Sequence, residues 1–336
     1  MDIKNKKILI GALVVGILTT TSLLIIFLIN NQNFSGNLSK IGQIETNGLA
    51  TTVQVRGNIA YVIDSNENNP GGLMLINISN PEQPVLLGSY YEAGMPNDFA
   101  LQGDVAYVSN SGDGLEILNI SNPDNIVRIG HYRPGKIIYD VEVRDNIAFL
   151  ASYSEGLEIL NISDPTAPQR ISKVGLSNYC INVFVEDNFC YASGFSTLEV
   201  VDISNSSTPQ KVEQFSASNH LFFYPTKFGD LIYIADHGNE GDMIILDAND
   251  PTNINEVGRV SNLNDGYARR TCVNNTIAYM AFHSDGLLIV DMSNPSNPEV
   301  INHFKEGGKG YDVVIDGDFI YFAAGSEGLQ ILYHSD

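Results

Sequence analysis

Seven residues stand five places ahead of seven recurring two-residue turns: Thr52, Asp98, Asp140, Asn182, Tyr224, Arg269 and Asp312. Three carboxylates, an amide and a hydroxyl converging on one axis could hold a hard cation such as calcium, or a cationic group of a ligand, because oxygen donors suit such ions. The same register also fits a plainer role, in which an Asp that opens a strand caps nearby backbone amides. The turns are Gly57-Asn58, Gly103-Asp104, Asp145-Asn146, Asp187-Asn188, Gly229-Asp230, Asn274-Asn275 and Gly317-Asp318. Each has apolar strands on both sides, which is a strong hairpin signal.

Signatures of catalysis are sparse, and no residue is assigned a catalytic role. The chain has no Gly-x-Ser-x-Gly nucleophile elbow and no phosphate loop. It has no tryptophan, so the stacking and docking residues of quinoprotein dehydrogenases, sialidase Asp-boxes and Trp-Asp repeats are missing. Asp64–Gly72 offers calcium-type donors without the spacing or closing Glu of an EF-hand loop. His237 and His283 lack the paired ligands of a zinc site, and His131 and His303 occupy equivalent outer-strand positions.

The elements that must position the seven residues repeat along the chain. Gly286-Leu-Leu-Ile-Val-Asp-Met-Ser-Asn-Pro295 has near-copies beginning at Gly72, Gly114 and Gly156 and weaker ones at Thr197, Asp242 and Gly328, spaced 42, 42, 41, 45, 44 and 42 residues apart. Each hairpin (strands a and b) precedes such an anchor (strand c), and six anchors lead through a polar turn to a fourth strand, d, such as Pro84–Tyr90, Ile126–Tyr132, Gln210–Phe215 or Glu299–Phe304. The anchors are almost continuously apolar, as sheets covered on both faces require. This predicts an all-β, seven-bladed propeller of four-stranded antiparallel blades over 38–336. The seventh blade has Asp312–Asp316, Phe319–Ala323 and Leu329–Tyr333 and then stops, while Leu38–Ile44 reads as a d strand preceding any a strand. Leu38–Ile44 is therefore expected to complete the last blade and leave no open edge.

Leu287-Leu-Ile-Val-Asp291 and Leu198-Glu-Val-Val-Asp202 are similar to the LVIVD repeat of bacterial and archaeal proteins that look like secreted or surface β-propellers. The resemblance covers roughly residues 38–336 and implies the fold; members share no single activity. Asn77, Asn119 and Asn161 replace the Asp in three copies and Tyr333 replaces it in the last.

In such a ring the a–b and c–d turns share one rim, and here they are nearly uniform. The b–c and d–a loops on the other rim vary, and function is expected where a repeat scaffold varies. That rim carries Tyr90, Tyr91, Tyr139, Tyr179, Phe222, Phe223, Tyr224, Tyr267 and Tyr311, which could stack on sugars, anchor a protein interface or fill gaps between blades. Its acids Asp64, Glu67, Asp113, Glu155, Glu240, Asp285 and Glu327 mostly precede a Gly and read as solvated turns.

The chain has 39 acidic and 18 basic residues for a net charge of −21, which disfavours nucleic acid and anionic lipid heads as partners. Residues 1–7 are basic and 8–29 uncharged; 22 helical residues reach roughly 33 Å, enough to cross a bilayer. A signal anchor is expected there, with 30–37 as a spacer and the propeller outside the cytoplasm. Cys180, Cys190 and Cys272 are expected to be buried thiols. The expectation is a membrane-tethered, extracytoplasmic module that binds a protein or surface polymer through Asp98, Asp140, Asn182, Tyr224, Arg269 and Asp312 without catalysis; no cofactor is expected, calcium being the one ion these donors could hold. The alternatives are a polysaccharide hydrolase or lyase using Asp98, Asp140 and Asp312, and a structural cell-surface component.

Overall fold

Short apolar strands separated by Gly, Asp or Asn can only satisfy their backbone groups by pairing with one another. In the computed structural model, which describes residues 38–65, 71–91, 94–218, 220–236, 243–261 and 267–334, they form seven four-stranded sheets ordered a-b-c-d. The basic tail, the apolar run over 8–29 and the spacer lie outside the described residues. Among the described residues no helix is long and apolar enough to cross a membrane.

The a strands are Leu49–Arg56, Asp98–Gln102, Asp140–Arg144, Asn182–Glu186, Phe222–Phe228, Ala268–Asn274 and Asp312–Asp316. Each a–b turn opens with a residue in the left-handed region, from Asp187 at φ 50° to Gly229 at φ 60°, which is why Gly, Asp and Asn recur there. In the sixth blade Asn274 pairs with Ile277, so the turn is Asn275-Thr276, one residue later than the sequence reading placed it. Two adjacent asparagines satisfy the same turn rule, and composition alone does not choose between them.

The last blade is built as expected. Leu38–Ile44 runs antiparallel to Leu329–His334, with Leu38 opposite His334 and Ile44 opposite Leu329. The core lies between blades: Ile63, Leu73 and Leu75 of the first pack on Phe99, Val108 and Leu118 of the second, and Tyr321, Leu329 and Ile331 of the seventh pack on Ala50, Val53 and Val62 of the first.

Two local rules explain the anchor. The side-chain oxygen of Asn77, Asn119, Asn161, Asp202, Asp247 or Asp291 accepts the backbone N–H two residues on, at 2.8–3.0 Å. Asn and Asp therefore interchange freely, because an acceptor is all the turn needs. The carbonyl of the anchor Pro then abuts a glycine in the d strand of the preceding blade: a Cβ at Gly88 would stand 1.8 Å from the Pro123 oxygen, and one at Gly42 1.9 Å from that of Pro81.

Candidate functional site

The start of each a strand faces the central channel, and there the expected acids meet. Asp98, Asp140 and Asp312 are all buried. One oxygen of each accepts the N–H of the next residue at 2.7 Å. The other oxygen of Asp140 accepts the N–H of Val183, and that of Asp312 the N–H of Val53, both at 2.9 Å. Asn182 does the same through its amide oxygen, taking the Tyr224 N–H at 3.0 Å. These residues thus stitch one a strand to the next around the ring, the capping role that the recurring register allowed.

The corrected turn places Arg270, rather than Arg269, five residues ahead of it. A bulge between Ala268 and Arg270 leaves Arg269 outside the ladder, and adjacent strand residues face opposite ways. Arg270 donates to Asp98 and, at 3.3 Å, to Asp312, while its guanidinium carbon lies 3.9 Å from the centroid of the Tyr224 ring. Blades two and six stand on opposite sides of the ring, so this side chain spans the channel. Beside it a cavity of about 260 Å³ is lined by Gln54, Glu142, Asn182 and Lys227 together with the charged group.

Burial first, and then the Asp98 carboxylate, push Asp140 well above the carboxylate range. Burial, opposed by Arg270, lifts Asp312 to about 6, and burial with Asp98 lifts Glu142 to about 7. Two of the acids expected to hold an ion hold the chain's own guanidinium instead. No group of three or more His, Cys, Asp or Glu side chains is arranged to hold a metal among the described residues.

On the variable rim the channel widens into a bowl of about 380 Å³. Tyr139, Tyr153, Phe195, Phe223, Tyr224 and Tyr311 line it, with Thr51, Ser65 and Asn97 between them. Tyr224 lines both the bowl and the channel and stands between the two. The rings support one another: Tyr153 tilts against Tyr139 at 5.4 Å and stacks on Tyr179 at 4.3 Å, which meets Phe195 edge-on at 5.2 Å. Across the bowl Arg269 lies over Tyr311 at 4.8 Å and Tyr267 at 5.6 Å. His283 stacks on Tyr267 at 4.4 Å, and burial, then Arg269 and Lys309, lower its pKa to about 4, so it is neutral at pH 7.

Of the expected residues, Asp98, Asp140, Asn182 and Asp312 belong to the channel, Arg269 to the bowl, and Tyr224 to both. Phe222 is a core residue and Tyr90 packs between the first two blades. Asp64 is buried and takes the N–H groups of Asn47 and Gly48 and the Tyr91 hydroxyl, so it ties a loop rather than facing a ligand. Asp113 and Glu155 make surface ion pairs with Arg133 and Lys173. Glu67, His237 and Glu240 lie outside the described residues. The three cysteines are free, Cys180 and Cys190 buried and Cys272 half-buried. Sequence reasoning missed Arg270, Tyr153 and Phe195; the last two sit in short b–c turns, where an aromatic was a visible departure from Ser and Gly.

A family profile described as the LVIVD repeat matches residues 47–92, 93–133, 137–174, 179–216, 228–262, 265–305 and 307–333. No curated protein matches the chain. Among solved structures, the crystal structure of the computationally designed Ika8 protein is similar at a TM-score of 0.65 and 8% identity, covering 88% of this chain and 99% of that one. At that identity the likeness concerns the fold alone.

Proposed function

The chain belongs to the LVIVD-repeat family, and from that footing we propose that it is a membrane-anchored, extracytoplasmic binding module that engages a protein or surface polymer through its variable rim, without catalysis. The observation that carries the reading is the aromatic bowl. Tyr139, Tyr153, Phe195 and Tyr311 lie on d–a and b–c loops, where the seven blades differ, Phe223 and Tyr224 open the fifth a strand, and the contacts of Tyr153 with Tyr139 and Tyr179 hold rings in place before any ligand arrives. Rigid aromatic surface at the centre of a concave site is the usual anchor of binding energy.

The state of the channel acids supports a non-catalytic reading. A general acid or base needs a free oxygen within reach of the substrate, whereas Asp140 and Asp312 spend both oxygens on backbone amides and Asp98 engages the guanidinium. The 22 uncharged residues over 8–29, preceded by lysines, support the tether and its orientation.

Binding of the full-length protein in detergent to immobilised envelope polysaccharides and surface proteins tests the rim. Replacing Tyr153 and Phe195 together by Ala should weaken capture at least tenfold with the melting temperature nearly unchanged. Capture that survives this change, but is lost when Arg56 and Arg144 beside the a–b turns are altered, would put the working face on the opposite rim.

A further inference from the structure

The described wall of the bowl contains one charged side chain, Arg269, and no carboxylate. That is unusual in a chain with 39 acids against 18 bases. Arg269 is also uncommitted. It lies over the ring faces of Tyr267 and Tyr311, and among the described residues its buried Nε has no hydrogen-bond partner. Arg270, its neighbour, is by contrast fully engaged by two carboxylates. A guanidinium set beside two rings and bonded to no carboxylate among the described residues can take up a planar anion at the bowl.

The rest of the wall narrows the ligand. Tyr139, Tyr153 and Phe195 supply ring surface for the C–H face of a sugar, and Thr51, Ser65 and Asn97 add neutral polar atoms; the Tyr224 and Tyr311 rings already carry Arg270 and Arg269, and the Tyr311 hydroxyl meets His283 at 3.3 Å. A purely apolar ligand would make no use of these polar atoms, and a polyanion would find a single counter-charge. At about 380 Å³ the bowl lies near the lower end of ligand pockets, roughly 300–1,000 Å³, with room for about one or two sugar rings.

We propose that the bowl binds an acidic saccharide unit of the uronic acid type, its carboxylate against Arg269 and its hydroxylated ring against the tyrosine faces. This rests on the rim-binding reading and specifies its ligand. The long-range repulsion from the acidic surface is screened beyond about 8 Å at physiological salt, while Arg269 and Lys309 are the charges that act on His283 beside the bowl.

The experiment compares oligogalacturonate with the same oligomer after its carboxyls are reduced to alcohols, by calorimetry on the full-length protein. The acidic oligomer should bind at least tenfold more tightly than its reduced counterpart. Arg269→Gln should abolish that preference and Arg269→Lys keep part of it, each melting within a few degrees of the parent. Equal affinity for both oligomers, an Arg269→Gln variant that still discriminates, or binding of neither would overturn the proposal. Binding of a protein or neutral polymer that falls with Tyr153→Ala but ignores Arg269 would also overturn it, while leaving the rim as the working face.

Discussion

Arg269 and Arg270 are neighbours in sequence with opposite duties, one turned to the bowl and the other closing the channel. The sequence reading picked the first for a position held by the second, because register in the sixth blade depends on which of Asn274 and Asn275 opens the turn. The role of Asp98, Asp140 and Asp312 as strand caps and their convergence on the channel were open to sequence; that Asp98 and Asp312 hold the chain's own Arg270 was not, since the Asp98 pairing joins residues 172 apart. Replacing Arg270 by Met should cost about 3–5 kcal/mol, as removing one partner of a buried ion pair does, and Asp98→Asn should restore part of the loss. The variant should also respond more steeply to pH. Asp312 and Glu142 have folded-state pKa values of about 6 and about 7, raised mainly by burial and lowered by Arg270. A carboxyl whose pKa is raised by folding contributes most while protonated, so stability is full below about pH 4 and declines up to about pH 7. Without the guanidinium both values rise further and the decline deepens, which urea unfolding between pH 5 and 8 would measure. A parallel pair of curves would mean that Arg270 does not govern these acids.

At the scale of the strand, the anchor and its turn were legible because six copies contain their own acceptor and five their own Pro. What the anchor docks against was not. The glycine that receives the Pro carbonyl sits one blade earlier, and four d-strand glycines, Gly42, Gly88, Gly130 and Gly258, repeat the fit. Where the pattern fails the contact is kept by other means, as Ser172 donates its hydroxyl to the Ser206 carbonyl at 2.6 Å. A methyl group at such a position must push two blades apart. Gly88→Ala should therefore destabilise by about 1–3 kcal/mol, the usual cost of overpacking, with a lower denaturation midpoint in chemical unfolding. An unchanged midpoint would show that the outer strands carry no load. The buried acids of the c strands follow a similar logic: Glu158, in an otherwise apolar stretch, is matched by Arg170 at 3.5 Å and by the Tyr132 hydroxyl of the preceding blade at 2.8 Å.

For the molecule as a whole, blade number, strand order and the closing strand all followed from the period, whereas the bowl did not, because loops of unequal length give no register from which to read proximity. Closure and orientation can be checked together. A protease added to intact cells should release a fragment beginning near Leu38 that melts as the full-length protein does. A fragment beginning beyond Ile44 should lose cooperative unfolding, since the Leu329–His334 edge is then bare and the Gly42 contact to the first blade is gone. Retention of the whole protein by protease-treated cells would argue against exposure outside the cytoplasm.

The shared seventh sheet also sets a schedule for biogenesis. Its outermost strand, Leu38–Ile44, leaves the ribosome first and its neighbour, Leu329–His334, last. At about 5–20 residues per second the wait between them is roughly 15–60 seconds. Throughout that interval the early strand lacks the mate it has in the folded sheet, so closure waits until Leu329–His334 has emerged and the edge must be guarded until then by whatever factors attend nascent chains.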